Sequence, residues 1–432
     1  MRDGDTIVAL SSGAVPAGVA VIRLSGPDVP NILNAIAGGV PKPRRLTLRP
    51  IGTDTALDRG LVAYFAAPHS FTGEDCAELQ VHGSPAGVRA ILRLCTSLGA
   101  RLAEAGEFTR RAFENGKLDL VEIEGLGDLL DAETENQRRQ AIARLEGGLT
   151  AQVDHWRDQL LDLRAEIEAR LDFSDEGDVG ELPASFAQNL DALAQSIGAA
   201  LGTVERGRIV REGLRVALAG APNVGKSSLL NALAKSDIAI VTDEPGTTRD
   251  VREVPIDIGS QLVIFLDLAG LRETASKAEA EGVRRAQAEI EQANLVLWLV
   301  APDVADVDFI APFGAPVWRI GTKSDLGRSA DYVDLALSTQ SKDGLDDLLA
   351  RLTAFASEQS GSGEPILVSR ERDRAALDEA GTALSRAKLA LGDPELAAES
   401  LRIASQSLER LVGRIDAERV LDRLFASFCI GK

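Results

Sequence analysis

A glycine-rich segment that ends in a lysine and a serine carries the clearest chemical signal in this sequence. Residues 220–227 read GAPNVGKS and fit the pattern G-x-x-x-x-G-K-[ST] without a mismatch. In such a loop the backbone amides surround the β-phosphate of a nucleotide, the lysine reaches the β- and γ-phosphates, and the serine hydroxyl ligates Mg²⁺. The segment therefore predicts binding of a nucleoside triphosphate. Its predicted ligands are Asn223, Val224, Gly225, Lys226, Ser227 and Ser228.

The neighbouring residues place this loop between a strand and a helix. The apolar run VALA at 216–219 precedes it, and LLNAL at 229–233 follows it. A helix that begins directly after the loop directs the positive end of its dipole toward bound phosphate. A glycine-rich turn that fits the pattern by chance is the alternative interpretation, and the flanking strand and helix disfavour it.

Two later segments supply residues that would complete a phosphate and metal site. The apolar run LVIFL at 262–266 predicts a buried strand. Asp267 at its end can hold the water shell of Mg²⁺, while the Gly270 amide meets the γ-phosphate. A threonine of the loop GTTRD at 246–250 can complete the metal sphere. The further nucleotide ligands predicted here are Thr242, Thr247, Thr248, Asp267 and Gly270, and the predicted Mg²⁺ ligands are Ser227, Thr248 and Asp267.

The residues after a further strand indicate which base is bound. Apolar runs at 295–300 and 317–320 complete a doubly wound α/β pattern, and TKSD follows at 322–325. The Asp325 carboxylate can accept two hydrogen bonds that guanine donates and adenine cannot, so the predicted nucleotide is GTP. Thr322 stands where the GTPase superfamily usually has asparagine, and Leu271 where many small GTPases carry glutamine. The predicted base-contacting residues are Thr322, Lys323, Asp325 and Ser338.

Length and composition limit the class of protein. The 432 residues suggest about three domains, and 45% hydrophobic with 26% charged residues is typical of a globular protein. No apolar run approaches the length of a membrane span and no signal-peptide pattern begins the chain, so a cytoplasmic protein without membrane contact is expected. The three cysteines lack metal-site spacing. A net charge of −19 argues against nonspecific nucleic-acid binding and leaves a local patch or a basic partner for RNA.

Changes of pattern divide the chain into four segments. Residues 1–117 predict a small α+β domain, with β-like runs at 6–9, 19–24, 61–65 and 77–81 and a helix around 85–98. Residues 118–210 predict helices, among them one long amphipathic helix from Ile142 to Leu171 with Trp156 on its packed face. Residues 371–432 resume the helical pattern. The two helical segments are expected to form one bundle, into which the nucleotide-binding module at 211–370 is inserted.

Several short motifs, taken in chain order, resemble those of the MnmE (TrmE) family of tRNA-modification GTPases. They are DTIVA at 5–9, FTGED at 71–75, AGEFT at 105–109, GTTRD at 246–250 and FCIGK at 428–432. Each motif alone is weak, but together they make a specific signature that runs from end to end of the chain. The resemblance implies an N-terminal domain that binds folate and dimerises, a central helical domain and an inserted G domain.

The resemblance also implies a mechanism of hydrolysis. Members of the family hydrolyse GTP when their G domains dimerise around K⁺, whose charge beside the phosphates acts much as an arginine finger does. The water-positioning glutamate of the family matches Glu279. Arg249 and Cys429 are further catalytic candidates, and Cys429 can equally be a structural thiol. The implied K⁺ ligands are Asn223, Thr242, Glu244 and Thr247.

For the tRNA chemistry, the resemblance implies a homodimer in a heterotetramer with MnmG, an FAD-dependent partner. Together they would add a carboxymethylaminomethyl or aminomethyl group to C5 of wobble uridine U34, with 5-formyl- or 5,10-methylene-tetrahydrofolate as one-carbon donor. The residue pattern alone favours solvated charges at Arg23, Glu78 and Lys117, but the folate contacts of the family match these residues and Lys432. A regulatory GTPase of ribosome or membrane assembly and a protein that holds GTP as a structural ligand are the alternative functions.

Overall fold

The structure is a computed structural model that describes residues 4–172, 182–235, 252–267, 292–305, 314–327, 332–361 and 363–415, together with 420, 421, 424, 425, 428 and 431. The chain divides into two compact units, one of Met1–Gly127 with Ser405–Lys432 and the other of Asp128–Ala404. Each unit contains a six-stranded sheet. Within the described ranges, no helix is both apolar enough and long enough to cross a bilayer.

The sheet of the first unit is mostly antiparallel. Its strands are β1 (Ile7–Leu10), β2 (Ala17–Ser25), β3 (Thr47–Gly52), β4 (Ala56–Phe65), β5 (Cys76–Gly83) and β6 (Arg101–Leu102). They follow the order β3-β4-β5-β2-β1-β6, and only β1 and β6 pair in parallel. Because side chains alternate between the two faces of a strand, Ile22 and Leu24 are buried while Arg23 lies on the opposite face. The strands predicted for this segment are confirmed.

Helices cover the apolar face of this sheet. They are α1 (Val29–Ala37) and α2 (Pro85–Ser97). On the opposite face, Phe108 of α3 (Glu107–Glu114) clusters with Ile7 and Ala9, while α4 (Leu120–Leu130) follows α3 in the chain. The Ser84 side chain accepts a hydrogen bond from the Gly87 amide at the start of α2, where a proline in the first turn also favours the helix. Ile32 of α1 and Ile91 of α2 belong to the same buried cluster as the inward side chains of the strands. The predicted helix around 85–98 is confirmed.

Residues from the C-terminal part of the chain complete the first unit. Leu421 and Phe425 pack with Leu120 and Ile123 in one buried apolar cluster. Gly106 has a φ of +66°, and a Cβ at this position would lie 2.9 Å from Phe425. Both the backbone conformation and the close ring favour glycine at this position.

The second unit combines helices with a nucleotide-binding fold. Its helices are α5 (Glu135–Leu145), α6 (Gly148–Asp172), α7 (Ala184–Leu201), α8 (Val204–Glu212), α9 (Lys226–Ala234), α10 (Leu345–Ser360), α11 (Glu371–Leu389) and the first part of α12 (Pro394–Leu411), whose residues from Ser405 onward belong to the first unit. The prediction of one unbroken helix from Ile142 to Leu171 is wrong, because Gly147 adopts a φ of +79° between α5 and α6. A left-handed residue cannot continue a right-handed helix. The packing role predicted for Trp156 is confirmed, since it is buried and its Nε1 donates to Ser196 Oγ at 2.9 Å.

The sheet of the second unit is mostly parallel. Its strands are β7 (Leu214–Gly220), β8 (Arg252–Ile258), β9 (Gln261–Asp267), β10 (Leu295–Val300), β11 (Val317–Gly321) and β12 (Leu335–Ala336). They follow the order β12-β11-β10-β7-β9-β8, and only β8 is antiparallel to its neighbour. From β7 the sheet first extends to one side through β9 and β8 and later to the other side through β10, β11 and β12. Such a reversal of the strand order marks the ligand-binding edge of doubly wound folds. The four predicted strands are confirmed.

Candidate functional site

The loop between β7 and α9 is tightly wound. Gly220 has a φ of +136°, and a Cβ there would lie 2.5 Å from the Leu299 carbonyl oxygen. Asn223 and Gly225 also adopt positive φ values, of 63° and 106°. Gly225 caps α9, so Lys226 begins the first turn, where backbone amides have no partner within the helix. Unpaired amides at the start of a helix can bind an anion.

Lys226 folds back across this loop. Its ammonium group donates hydrogen bonds to the carbonyl oxygens of Gly220 at 2.9 Å and Ala221 at 3.0 Å. Burial lowers the pKa of Lys226, and the neighbouring Asp267 carboxylate offsets only part of this effect. A cation held in a partly desolvated loop attracts phosphate more strongly than a lysine in bulk water does.

Ser227 and Asp267 meet beside the lysine. Asp267 ends β9 and is paired in register with Leu218 of β7, which brings its carboxylate to the phosphate loop. The Ser227 hydroxyl donates to Asp267 Oδ2 at 2.9 Å. Asp267 Oδ1 is buried and has no hydrogen-bond partner in the described part of the chain. A hydroxyl and a carboxylate with a spare buried oxygen are the hard donors that Mg²⁺ prefers, so these residues fit the predicted metal.

Thr322 ties the base-binding loop to the phosphate loop. It is buried, and its hydroxyl donates to the carbonyl oxygens of Val224 at 2.5 Å and Val300 at 3.1 Å. A threonine hydroxyl carries one hydrogen, which these two carbonyls share. Thr322 therefore positions the loop but has no hydrogen left to donate to a base.

Replacement of Thr322 by asparagine is expected to tighten GDP binding by up to about tenfold, because an amide has two hydrogens and can serve both Val224 and the base. Thr322→Val keeps the shape, removes the donor and is expected to weaken binding instead. Titration of a fluorescent GDP derivative measures both. Equal or weaker binding by Thr322→Asn would contradict this account of the residue.

The other residues predicted to contact the base are held by ion pairs and hydrogen bonds. Lys323 adopts a φ of 53°, and its Nζ contacts the Asp303 carboxylate at 2.7 Å. The fully buried Ser338 donates its hydroxyl hydrogen to Asp325 Oδ1 at 2.5 Å. Asp325 is itself exposed. Its carboxylate is thus fixed in orientation while it remains accessible to a base.

Two of the residues that match the folate contacts of the family, Arg23 and Glu78, form an ion pair in the first unit. Arg23 and Glu78 occupy facing positions on β2 and β5, and Glu78 Oε1 accepts hydrogen bonds from Arg23 Nη2 at 2.9 Å and Nε at 3.2 Å. The Arg23 guanidinium lies 5.4 Å from the centre of the Phe71 ring and 5.8 Å from that of Phe108. Aromatic faces attract a guanidinium and hold it in place.

The other two residues of the predicted folate set belong to neighbouring segments of this unit. A Cβ on Gly73 would lie 3.0 Å from Lys117 Cε, so the lysine stem runs along the segment that also contains Phe71. Lys432 lies outside the described residues, but its neighbour Gly431 accepts a hydrogen bond from Ser11 Oγ at 2.7 Å. Ser11 directly follows β1, and β1 pairs with β2, so this contact places Gly431 beside the end of the strand next to the one that carries Arg23.

Carboxylates from three of the sequence motifs pair with Arg111, a residue that was not predicted to be important. Arg111 is only 6% exposed and contacts Asp5 at 2.6 Å, Glu74 at 3.1 Å and Glu107 at 3.1 Å. Each carboxylate comes from a different one of the motifs DTIVA, FTGED and AGEFT. Arg101 pairs with Asp5 and Glu107 as well. A buried arginine needs such partners, so one role of these three carboxylates is to neutralise it.

This network predicts a loss of stability in acid. The hydrogen bond from Arg101 is the main cause that lowers the pKa of Asp5, whereas burial raises the pKa of Glu107 but is outweighed by Arg101 and Arg111. Since both pKa values are lower in the folded chain, the stabilisation is present above about pH 4.5 and disappears as the pH falls through the folded values. Glu107→Gln should flatten this dependence in urea unfolding between pH 3 and 6, and the exposed Glu114→Gln should not.

Several predicted residues lie outside the described part of the chain. Two further predicted nucleotide ligands lie within the described residues: Val224 is buried in the phosphate loop, and Ser228 lies in the first turn of α9. The residues not described are Thr242, Glu244, Thr247, Thr248, Arg249, Gly270, Glu279, Cys429 and Lys432.

Comparison with known proteins decides the family. The family model for the MnmE helical domain matches residues 120–429, and that for the N-terminus of the GTP-binding protein TrmE matches residues 6–117. The tRNA modification GTPase MnmE of Azorhizobium caulinodans is 48% identical over 439 residues, with 100% of both chains covered. The chain belongs to the MnmE (TrmE) family. The corresponding protein of Rhizobium meliloti is also 48% identical, over 440 residues and 100% of both chains. The resemblance predicted from the motifs is confirmed, and the protein is a GTPase.

Proposed function

We propose that this protein hydrolyses GTP with K⁺ as an activating ion and, with the FAD-dependent partner MnmG, modifies C5 of wobble uridine U34 in tRNA. A tetrahydrofolate derivative, 5-formyl or 5,10-methylene, would supply the one-carbon unit of the carboxymethylaminomethyl or aminomethyl group. The observation that carries the proposal is family membership over both the N-terminal and the helical parts of the chain. A GTPase that shares only the nucleotide-binding fold with this family would lack the N-terminal part, which here matches at residues 6–117.

The phosphate loop supports the hydrolytic step. Lys226 and the first amides of α9 would bind the β- and γ-phosphates, while Ser227 and Asp267 would hold Mg²⁺ together with Thr248. Mg²⁺ supplies positive charge to the phosphate oxygens during phosphoryl transfer. Glu279 would orient the attacking water. The proposed K⁺ ligands are Asn223, Thr242, Glu244 and Thr247.

The first sheet supports the folate site and a homodimer. Arg23 and Glu78 offer a cation and a carboxylate side by side, a pairing that suits the donors and acceptors of a pterin ring. On the same face, Leu48 and Leu61 face each other on β3 and β4 and are 53% and 37% exposed. Exposed leucines on a sheet face suit contact with a second copy. Lys117 and Lys432 would complete the folate contacts.

The proposal includes a domain division and an assembly. The N-terminal α+β domain would span 1–117, the helical domain 118–210 and 371–432, and the inserted G domain 211–370. The chain passes from α8 directly into β7 and from α10 into α11, which supports insertion of the G domain between helices. The assembly would be a cytoplasmic heterotetramer with MnmG that acts on tRNA.

Steady-state GTP hydrolysis in K⁺ and in Na⁺ at equal ionic strength tests the hydrolytic part, with ATP as the nucleotide control. We expect strong stimulation by K⁺ that is selective for GTP. Glu279→Ala is expected to abolish the stimulation while GDP still binds, and the exposed Glu358→Ala is expected to leave it intact. Equal and slow turnover in both salts would contradict the K⁺ mechanism.

Titration with 5-formyl-tetrahydrofolate tests the folate part. Arg23→Ala should weaken binding at least tenfold, since it removes a charged partner of the ligand. Arg93→Ala, on the exposed side of α2, is the matched control. Unchanged binding by Arg23→Ala would refute this site and leave the hydrolytic part standing.

A further inference from the structure

Helix α5 is held to the nucleotide-binding fold by amide side chains on one of its faces. Gln137 Nε2 donates to the Arg211 carbonyl oxygen at 2.9 Å, near the end of α8. Gln140 Nε2 donates to the carbonyl oxygens of Gly207 at 3.2 Å and Ile366 at 2.9 Å. Residues three apart share a helix face, so the two amides act together. They hold both chain segments that connect the nucleotide-binding fold to the helices.

The turn between β8 and β9 touches the same helix. Gly259 and Ser260 form a two-residue turn between the paired residues Ile258 and Gln261, with φ values of +62° and +67°. The Ser260 carbonyl oxygen accepts a hydrogen bond from the Asn136 amide at 3.4 Å. This amide belongs to the first turn of α5, where no partner exists within the helix. The turn therefore completes the N-terminus of α5.

Strand β9 connects this turn to the candidate Mg²⁺ site. It begins at Gln261, which is 5% exposed, and ends at Asp267, whose carboxylate accepts the hydrogen bond from Ser227. Seven residues at about 3.3 Å each span roughly 20 Å. A strand paired on both sides is stiff, so a displacement of one end is transmitted to the other.

At this joint of α5 with the nucleotide-binding fold, a partly open cavity of about 250 Å³ lies between α5, Gln261 at the start of β9, the end of α10, and residues 361 and 363–366. Ile209 of α8 packs into the apolar core of the nucleotide-binding fold. The hydrogen bonds of α5 to backbone carbonyls beside the cavity can adjust their geometry more readily than such an interdigitated core. The polar side chains that line the cavity include Asn136, Arg139, Gln140, Gln261, Ser357 and Ser360.

We infer that this joint couples the nucleotide site to the helical part of the chain, with Gln140 as a positioning residue that acts on bound nucleotide through β8 and β9. A ligand that moves Asp267 displaces the Ser260 contact on α5. By thermodynamic reciprocity, a change at α5 alters nucleotide binding. The inference rests on the GTPase activity alone and is independent of the K⁺ and folate proposals.

Two measurements on the full chain test the coupling. Hydrogen exchange of residues 135–141 is compared between GDP and a non-hydrolysable GTP analogue, and we expect a difference of at least threefold in the exchange rates. Stopped-flow release of fluorescent GDP is then measured for Gln140→Met, which keeps the side-chain length but removes the donor. We expect its release rate to change by at least threefold, in the range of ordinary allosteric coupling.

Arg138→Ala in the same helix is the matched control, because Arg138 pairs only across the exposed surface with Glu135. Its GDP release should stay within about 1.5-fold of the parent chain. A loss of thermal stability by Gln140→Met without a change in GDP release would assign Gln140 a purely structural role and overturn the inference. Equal exchange at 135–141 with the two nucleotides would overturn it as well, and this measurement does not depend on any variant folding.

Discussion

Replacement of Lys226 by alanine is expected to weaken GTP binding and to lower GTP turnover by at least about a hundredfold, the effect of removing one well-placed cation or donor from a phosphate or transition-state site. The ammonium group already lies inside the loop, where it donates to Gly220 and Ala221. Burial lowers the pKa of Lys226 because the charged group has lost part of its hydration. A bound phosphate would compensate for part of this loss. The alanine variant cannot recover this interaction from water.

Steady-state hydrolysis and titration with a fluorescent GDP derivative measure the Lys226→Ala effect. Lys235→Ala supplies the matched control, because Lys235 is an exposed lysine at the other end of α9. The loop should remain intact in the variant, since its glycine conformations do not depend on the lysine. Turnover within a factor of three of the parent chain would exclude the phosphate loop as the site of hydrolysis.

The second large effect concerns stability. Arg144→Ala is expected to reduce the free energy of unfolding by about 3–5 kcal/mol, because it removes the closer cation of a buried carboxylate and leaves only Arg372, 3.7 Å away. Arg144 and Asp373 are both 0% exposed and lie 2.9 Å apart, between α5 and α11. Arg144 also donates to the Leu367 carbonyl oxygen, in the segment that returns from the nucleotide-binding fold. Urea unfolding followed by tryptophan fluorescence measures the loss.

Two further variants separate burial from charge. Arg402→Ala removes an exposed pair with Glu399 and should leave the free energy of unfolding almost unchanged. The double variant Arg144→Met with Asp373→Leu removes both charges, and we expect it to recover most of the lost stability. A small effect of Arg144→Ala would mean that the site relaxes and admits water.

The phosphate loop could be predicted from the sequence because its determinants are local. Glycines with positive φ, a lysine and a serine stand within eight consecutive residues, and the apolar runs on either side define the strand and helix. Asp267 and Asp325 could be assigned for a related reason, since each directly follows an apolar strand or its short extension. A residue that follows a parallel strand lies at the carboxyl edge of the sheet, so its place in the sequence gives its place in the fold.

The contacts of α5 could not be predicted in this way. Gln140 binds carbonyls that are 67 and 226 residues away, and Arg144 binds one that is 223 residues away. Backbone carbonyls carry no sequence signature, so buried polar residues on a helix resemble its solvated face. The break at Gly147 did have a local signal, the pair Gly147-Gly148, which the apolar periodicity on both sides concealed.

The contribution of residues 405–431 to the first unit also constrains the order of events during synthesis. Phe425 packs against Gly106, and Gly431 accepts a hydrogen bond from Ser11. The two segments that meet in the first unit are therefore separated in the sequence by the entire second unit. A ribosome makes Ser11 long before it makes Gly431. Leu120 and Ile123 of α4 must therefore wait for their apolar partners Leu421 and Phe425 while more than half of the chain is translated. Contacts of such long sequence separation form late.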